Sequence, residues 1–168
     1  MLVNFFKLFL ILLFYQSPLY SKSKTLSDFN SSYLTNYFSG IVAHDNKDNF
    51  EALKFFEASK LLIKRHDNYL ERYVYSLVLE SKVQKATNVI KQNLTENNSN
   101  FFEAYLILAL DSLKKKNYKK SKEYLNKSYE FIYNERIPLV IAKTLKQYLY
   151  VFEENKAPTT KKNLGNFT

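Results

Sequence analysis

The chain has 168 residues, which suits one domain with a modest core. Hydrophobic residues make up 46% of it and aromatic residues 17%, so the composition excludes a wholly disordered chain. With only 2 Gly and 3 Pro, it favours helices joined by short connections over sheets and hairpins. The lack of Cys excludes disulfides, thiolate zinc sites and a cysteine nucleophile.

The formal net charge of +9 is compatible with nucleic-acid binding, but the lysines are spread along the chain instead of forming one block. We therefore expect no nucleic-acid partner. The densest positive run is KKKNYKK at 114–120, which indicates a solvated turn between helices. Contact with anionic lipid or an acidic partner is the alternative for this run.

The N-terminus has the pattern of an export signal. Residues 2–15 read LVNFFKLFLILLFY, so Lys7 precedes an apolar run from Leu8 to Tyr15. That run is shorter than the roughly 20 residues that span a bilayer. It fits the apolar part of a signal peptide over residues 1–21. We expect an exported protein, periplasmic if the organism is Gram-negative, with an uncleaved N-terminal membrane anchor as the alternative. Residues 1–21 are where we expect any membrane contact.

Helical spacing begins at residue 31. Residues 31–45, 69–80 and 101–113 each carry apolar side chains at intervals of three and four, over much of the helix circumference. After a short polar break, each is followed by a second helical segment. The second segments contain EALKFFEASK, KATNVIKQN and YKKSKEYLNKS. The pattern is thus helix, turn, helix, three times over, and the fold class that it predicts is all-α.

Small residues recur at one position of the three second helices, with a large residue four positions later. The small residues are Ala52, Ala86 and Ser121, and the large ones are Phe56, Ile90 and Leu125. The three small residues are 34 and 35 positions apart, and a further small residue follows at Ser59 and Ser128, whereas Asn93 breaks the pattern. A small side chain lets a neighbouring helix approach closely, and the large one fills the space beside it.

These features resemble the tetratricopeptide repeat family, whose consensus places Leu-Gly in the first helix and small, large and small residues in the second. Ser39-Gly40, Tyr73-Val74 and Leu108-Ala109 stand at the Leu-Gly position, and Tyr118 also matches. The family's Pro after the second helix is absent, with Lys64 near its place. The resemblance covers roughly residues 31–134 and implies an α-solenoid of three repeats, at about 33–66, 67–100 and 101–134. A generic helical bundle with accidental periodicity is the alternative.

A further helix is predicted within residues 135–155. Residues 137–152 read IPLVIAKTLKQYLYVF, and Pro138 suits a first helical turn. The segment is similar to the capping helix that closes a repeat array. Because Tyr150 and Phe152 widen its apolar surface, the first helix of a fourth repeat is the alternative. Residues 156–168 are polar and are predicted to be disordered.

The sequence contains no catalytic motif, so we expect neither enzymatic activity nor a cofactor. His44 and His66 each precede an Asp near a predicted helix end, and two histidines without a third ligand are more typical of polar turns than of a metal site. Gly40 and Gly165 are the only glycines, which excludes a glycine-rich phosphate loop.

The family resemblance implies a binding surface along the first helices, which line the concave face of such arrays. Carried over position by position, the surface comprises Tyr37, Ile41, His44, Asn68, Glu71, Tyr75, Val78, Glu103, Leu106, Leu110 and Leu113. It lacks the Lys, Arg and Asn set with which some subfamilies hold a terminal carboxylate. Its aromatic and aliphatic residues favour an apolar peptide or a partner helix.

Two functions remain at this stage. The first is a non-enzymatic scaffold or adaptor that binds a protein or peptide partner on the concave face. The second is structural: the N-terminal part of a longer repeat scaffold, or a self-associating chain, in which other helices cover the groove. A large exposed apolar patch is unusual for a monomer, which favours the second function, in which other helices cover the groove.

Overall fold

The structure is a computed structural model that describes residues 30–66, 68–94, 100–133 and 135–155. The predicted signal segment at 1–21 and the predicted tail at 156–168 lie outside the described residues. All regular structure within the described ranges is helical, so the all-α class is confirmed there.

Seven α-helices occur in the described residues. They are α1 (Ser31–Asp45), α2 (Asn49–Ala58), α3 (Tyr69–Leu79), α4 (Val83–Asn93), α5 (Phe102–Lys114), α6 (Tyr118–Ser128) and α7 (Arg136–Glu154). Two short 3₁₀ helices, Lys60–Lys64 and Tyr129–Phe131, follow α2 and α6. The first helices predicted at 31–45, 69–80 and 101–113 agree with α1, α3 and α5 to within one residue at each end.

One turn geometry occurs three times. Lys47, Ser81 and Lys116 adopt left-handed backbone angles, with φ of 66°, 59° and 57°. The N–H of the residue after each donates to the carbonyl five positions earlier, at 2.9, 2.8 and 2.9 Å. This is the Schellman arrangement that ends a helix. The three turns are 34 and 35 residues apart, the same spacing as the small residues, so the periodicity of the sequence is also a periodicity of backbone conformation.

The three helices that follow these turns do not all begin in the same way: two have a side-chain cap and one does not. The side chains of Asp48 and Asn117 accept hydrogen bonds from the backbone N–H of Glu51 and Lys120, each at 3.1 Å, which caps α2 and α6. At the matching position before α4, the side chain of Lys82 makes no capping hydrogen bond within the described residues. Helix α4 therefore lacks the stabilising N-terminal cap that α2 and α6 have.

Small residues of the repeating pattern sit where helices touch. Five of them are wholly buried: Ala52, Ser59, Ala86, Ser121 and Ser128. The Ser121 hydroxyl donates to the Ala109 carbonyl at 2.7 Å, which joins α6 to α5. A Cβ atom on Gly40 would lie 2.9 Å from the Phe56 ring, so α1 and α2 are in contact at that point. These contacts agree with close helix approach as the reason for small residues here.

Consecutive helices pack against one another along the chain from α1 to α7, and α5 also contacts α7. Two apolar clusters result. The first lies mainly among α1 to α4 and holds the aromatic residues Tyr37, Phe56, Tyr69 and Tyr73. The second joins α5, α6 and α7 through residues that include Leu125, Leu145 and Leu149. No helix in the described part of the chain is both long enough and apolar enough to span a bilayer.

Candidate functional site

The residues predicted on α1 contribute more to the core than to the surface. Tyr37 is only 2% exposed, and its ring centre lies 5.6 Å from that of Tyr69 and 4.5 Å from that of His66. Ile41 is half-buried against the same cluster. His44 is half-buried, and its Nδ1 has no hydrogen-bond partner within the described residues. Tyr37 therefore offers almost no surface to a ligand, because the aromatic core takes up its ring.

The predicted residues on α3 and α5 do come together. The Tyr75 hydroxyl on α3 donates to Oε1 of Glu103 on α5 at 2.9 Å. Glu71 lies one turn before Tyr75, close enough to Glu103 for the two charges to interact. Farther along α5 is Leu110, which is 45% exposed. We call the surface formed by Glu71, Tyr75, Leu79, Glu103 and Leu110 the α3–α5 face.

The charges of three carboxylates act on the Tyr75 hydroxyl. Burial raises the pKa of Tyr75, as do the hydrogen bond to Glu103 and the nearby charges of Glu71 and Glu135. Burial also raises the pKa of Glu71, and the Glu103 charge adds to this rise while Arg72 opposes it. A carboxylate in the first turn of a helix is normally stabilised by the helix dipole. Because the pKa of Glu71 is raised overall, burial and the Glu103 charge disfavour its ionised form more than Arg72 favours it. The ionised Glu71 carboxylate therefore costs free energy in the folded chain.

The rest of the α3–α5 face is apolar. Tyr75 is 37% exposed and Leu79 is 50% exposed. The predicted residues Val78, Leu106 and Leu113 are half-buried and pack against the two clusters beneath. Asn68 is exposed just before α3. The face thus combines exposed side chains that could contact a ligand with half-buried ones that support them.

Two residues of this region were not among those predicted from the sequence. Leu79 lies four positions after Tyr75, so helical spacing alone could have identified it. Glu135 precedes α7, and its charge reaches Tyr75 from a position 60 residues away in the chain. No spacing rule connects residues so far apart; Glu135 comes near Tyr75 through the tertiary packing of α7 against α5 and α6.

The other polar groups singled out in the sequence do not form a site in the described residues. Those residues contain no group of three or more His, Asp or Glu side chains arranged to hold a metal ion. In the basic run, Lys116 forms the left-handed position of a turn, and Lys115 donates to Asp111 at 2.8 Å. The run therefore contains the turn between α5 and α6, while its first and last lysines lie in those helices, and part of its charge is paired.

Comparisons with family models, with curated proteins and with solved structures found no match to this chain. The geometry of the α3–α5 face is thus the basis for assigning a function.

Proposed function

We propose that this chain is a tetratricopeptide-like repeat protein that acts as a non-enzymatic adaptor, docking an apolar peptide or helix of a partner on the α3–α5 face. The observation that carries the proposal is the exposure of Tyr75, Leu79 and Leu110 on two helices that the Tyr75–Glu103 hydrogen bond joins. Exposed apolar side chains over a packed support are typical of surfaces that bind an amphipathic segment.

The repeat assignment is supported by three turns of the same geometry at spacings of 34 and 35 residues. It is also supported by buried small residues at matching positions of α2, α4 and α6. In such an array α1, α3 and α5 are the first helices of successive repeats, and they lie side by side on the concave face. The N-terminal signal pattern of the sequence supports export as part of this proposal, with an uncleaved N-terminal anchor as the alternative.

A second candidate function is favoured by α7. Ile137 is 73% exposed, and Tyr148 and Phe152 are each 55% exposed, beside a buried stripe of the same helix formed by Ala142, Leu145 and Leu149. An end helix with a bare apolar face suits continuation of the array by further helices, or self-association. Under this alternative the chain is a scaffold segment, and its surfaces are covered in the assembly.

The test uses the full-length chain as bait for chemical crosslinking in an extract of the source organism. We compare it with Leu110→Glu, which changes an exposed residue of the face, and with Val42→Glu, a matched control at a 60% exposed position on α1. A partner that is captured by the native chain and by Val42→Glu, but lost with Leu110→Glu, supports the adaptor. Self-association in sedimentation that Tyr148→Glu abolishes, without any captured partner, supports the scaffold instead.

A further inference from the structure

The α3–α5 face carries two carboxylates, Glu71 and Glu103, on a chain of positive net charge, and the Arg72 charge offsets part of the Glu71 charge. The whole chain carries a formal net charge of +9, yet Glu103 accepts the Tyr75 hydrogen bond and the charges of Glu71 and Glu135 also act on that hydroxyl. Elsewhere in the described residues, Glu51, Glu57, Asp111 and Glu153 form ion pairs with lysines. The carboxylates of the face are thus clustered beside exposed apolar side chains.

Both helices arrange charge and apolar surface in the same order. Each has its carboxylate in the first turn, Glu71 on α3 and Glu103 on α5. The exposed leucines come later, Leu79 eight residues after Glu71 and Leu110 seven residues after Glu103. At 1.5 Å per residue, the acids and the leucines are separated by about 10–12 Å along each helix. A ligand that lies along the face therefore meets acidic groups at one end and aliphatic groups at the other.

We propose that the segment docked on the α3–α5 face is a cationic amphipathic helix, with Lys or Arg side chains against Glu71 and Glu103 and apolar side chains against Tyr75, Leu79 and Leu110. This proposal rests on the adaptor function and adds the chemistry of the partner. Charge complementarity is its basis: a bound cation would relieve the repulsion between the two carboxylates, which a neutral or acidic segment could not do. The carboxylates also act against the docking of acidic segments, which makes the face selective.

The experiment measures the affinity of the full-length chain for three helix-forming peptides of roughly 18 residues, each with leucine on one face. At one end of that leucine face two positions carry lysine, glutamine or glutamate, so the three probes differ in the group that they place against Glu71 and Glu103. We expect the lysine peptide to bind about threefold to tenfold more tightly than the glutamine peptide, as two partly exposed ion pairs would produce. The glutamate peptide should bind most weakly, and high salt should reduce the differences.

The double variant Glu71→Gln with Glu103→Gln tests whether these two residues cause the tighter binding of the lysine peptide. Glutamine keeps the shape of glutamate and can still accept the Tyr75 hydrogen bond, so only the charge is lost. The preference for the lysine peptide should disappear, while the glutamine peptide should bind as before. Glu123→Gln, at an exposed position on α6, is the matched control and should leave the preference intact.

A folding readout separates loss of charge from loss of structure. Because burial and the Glu103 charge raise the pKa of Glu71, Glu71→Gln should unfold at a higher denaturant concentration at pH 7 than the native chain. The same measurement on the double variant completes the control: if it unfolds at a denaturant concentration no lower than the native chain, its loss of the lysine preference cannot be due to misfolding.

Each other outcome overturns the inference. Equal affinity for the lysine and glutamine peptides would refute cationic recognition and leave the adaptor function standing. A lysine preference that survives in the double glutamine variant would place the responsible charges elsewhere. Self-association that Leu110→Glu abolishes would make a second copy of the chain the occupant of the face. Absence of binding to all three peptides at about millimolar concentration would refute the adaptor function as well.

Discussion

Gly40 offers the sharpest test of the close packing between α1 and α2. A Cβ atom at this position would lie 2.9, 3.0 and 3.2 Å from three atoms of the Phe56 ring. Ordinary contacts between such atoms are longer than about 3.4 Å, so either the ring or a helix has to move. Phe56 is wholly buried, and its ring is held between Tyr37 at 6.0 Å and Tyr69 at 6.1 Å between ring centres. The ring has little room to yield.

Two opposing effects set the magnitude of the change in Gly40→Ala. Alanine is favoured over glycine in a helix by about 1 kcal/mol. Overpacking a buried site costs about 1–3 kcal/mol. Because the contact is against a rigid, enclosed ring, we expect the second effect to exceed the first. The net loss in free energy of unfolding should be about 1 kcal/mol, equivalent to a fall of roughly 2–4 °C in Tm.

The assay is urea denaturation of the native chain, Gly40→Ala, Phe56→Leu and the double variant. Replacing the ring with a smaller side chain should remove the clash, so Gly40→Ala should stabilise the Phe56→Leu background through its helix preference. Ser39→Ala, the neighbouring position on α1, is the control and should change stability by less than about 0.5 kcal/mol. If Gly40→Ala instead stabilises the native chain by about 1 kcal/mol, α1 and α2 are not in close contact at this point.

Three further predictions concern the turns and one ion-pair cluster. Lys82→Asp should add the missing cap of α4 and raise the free energy of unfolding by about 0.5–1.5 kcal/mol in urea denaturation, and an unchanged value would contradict the capping argument. Lys116→Gly should raise the free energy of unfolding by about 0.5–1 kcal/mol, because glycine adopts the left-handed backbone angles without strain. A lower free energy of unfolding would show that the Lys116 side chain has a stabilising role. Asp111→Asn should cost about 1 kcal/mol at pH 7. Burial alone would raise the pKa of Asp111, but hydrogen bonds from Lys115 and Lys91 outweigh it and lower the pKa. The stabilisation is therefore present above the unfolded pKa of about 3.9 and is lost as the pH falls through the lower folded value, so the native chain and the variant should converge in urea titrations carried below that folded value.

The helices and turns could be predicted because their signals are local. Apolar spacing of three and four residues located α1, α3 and α5, and the polar breaks marked the turns. The spacing of Ala52, Ala86 and Ser121 indicated the period at which the left-handed turn residues recur. The 3₁₀ helix at Lys60–Lys64 was not predicted. Ser59 there bonds back to the carbonyls of Phe55 and Phe56, and buried Leu62 holds the following turn in the core.

Sequence by itself determined the all-α class, the helix pairs and their period, because these depend on residues within one or two turns of each other. Which face each side chain occupies was decided by tertiary structure. Tyr37 was predicted on a binding surface and lies in the core, because Tyr69 and Phe56 enclose its ring. Tyr75 and Glu103 are 28 residues apart and meet only because α3 and α5 pack near each other. The acidic character of the α3–α5 face depends on such long-range contacts, so it became visible only in the folded chain.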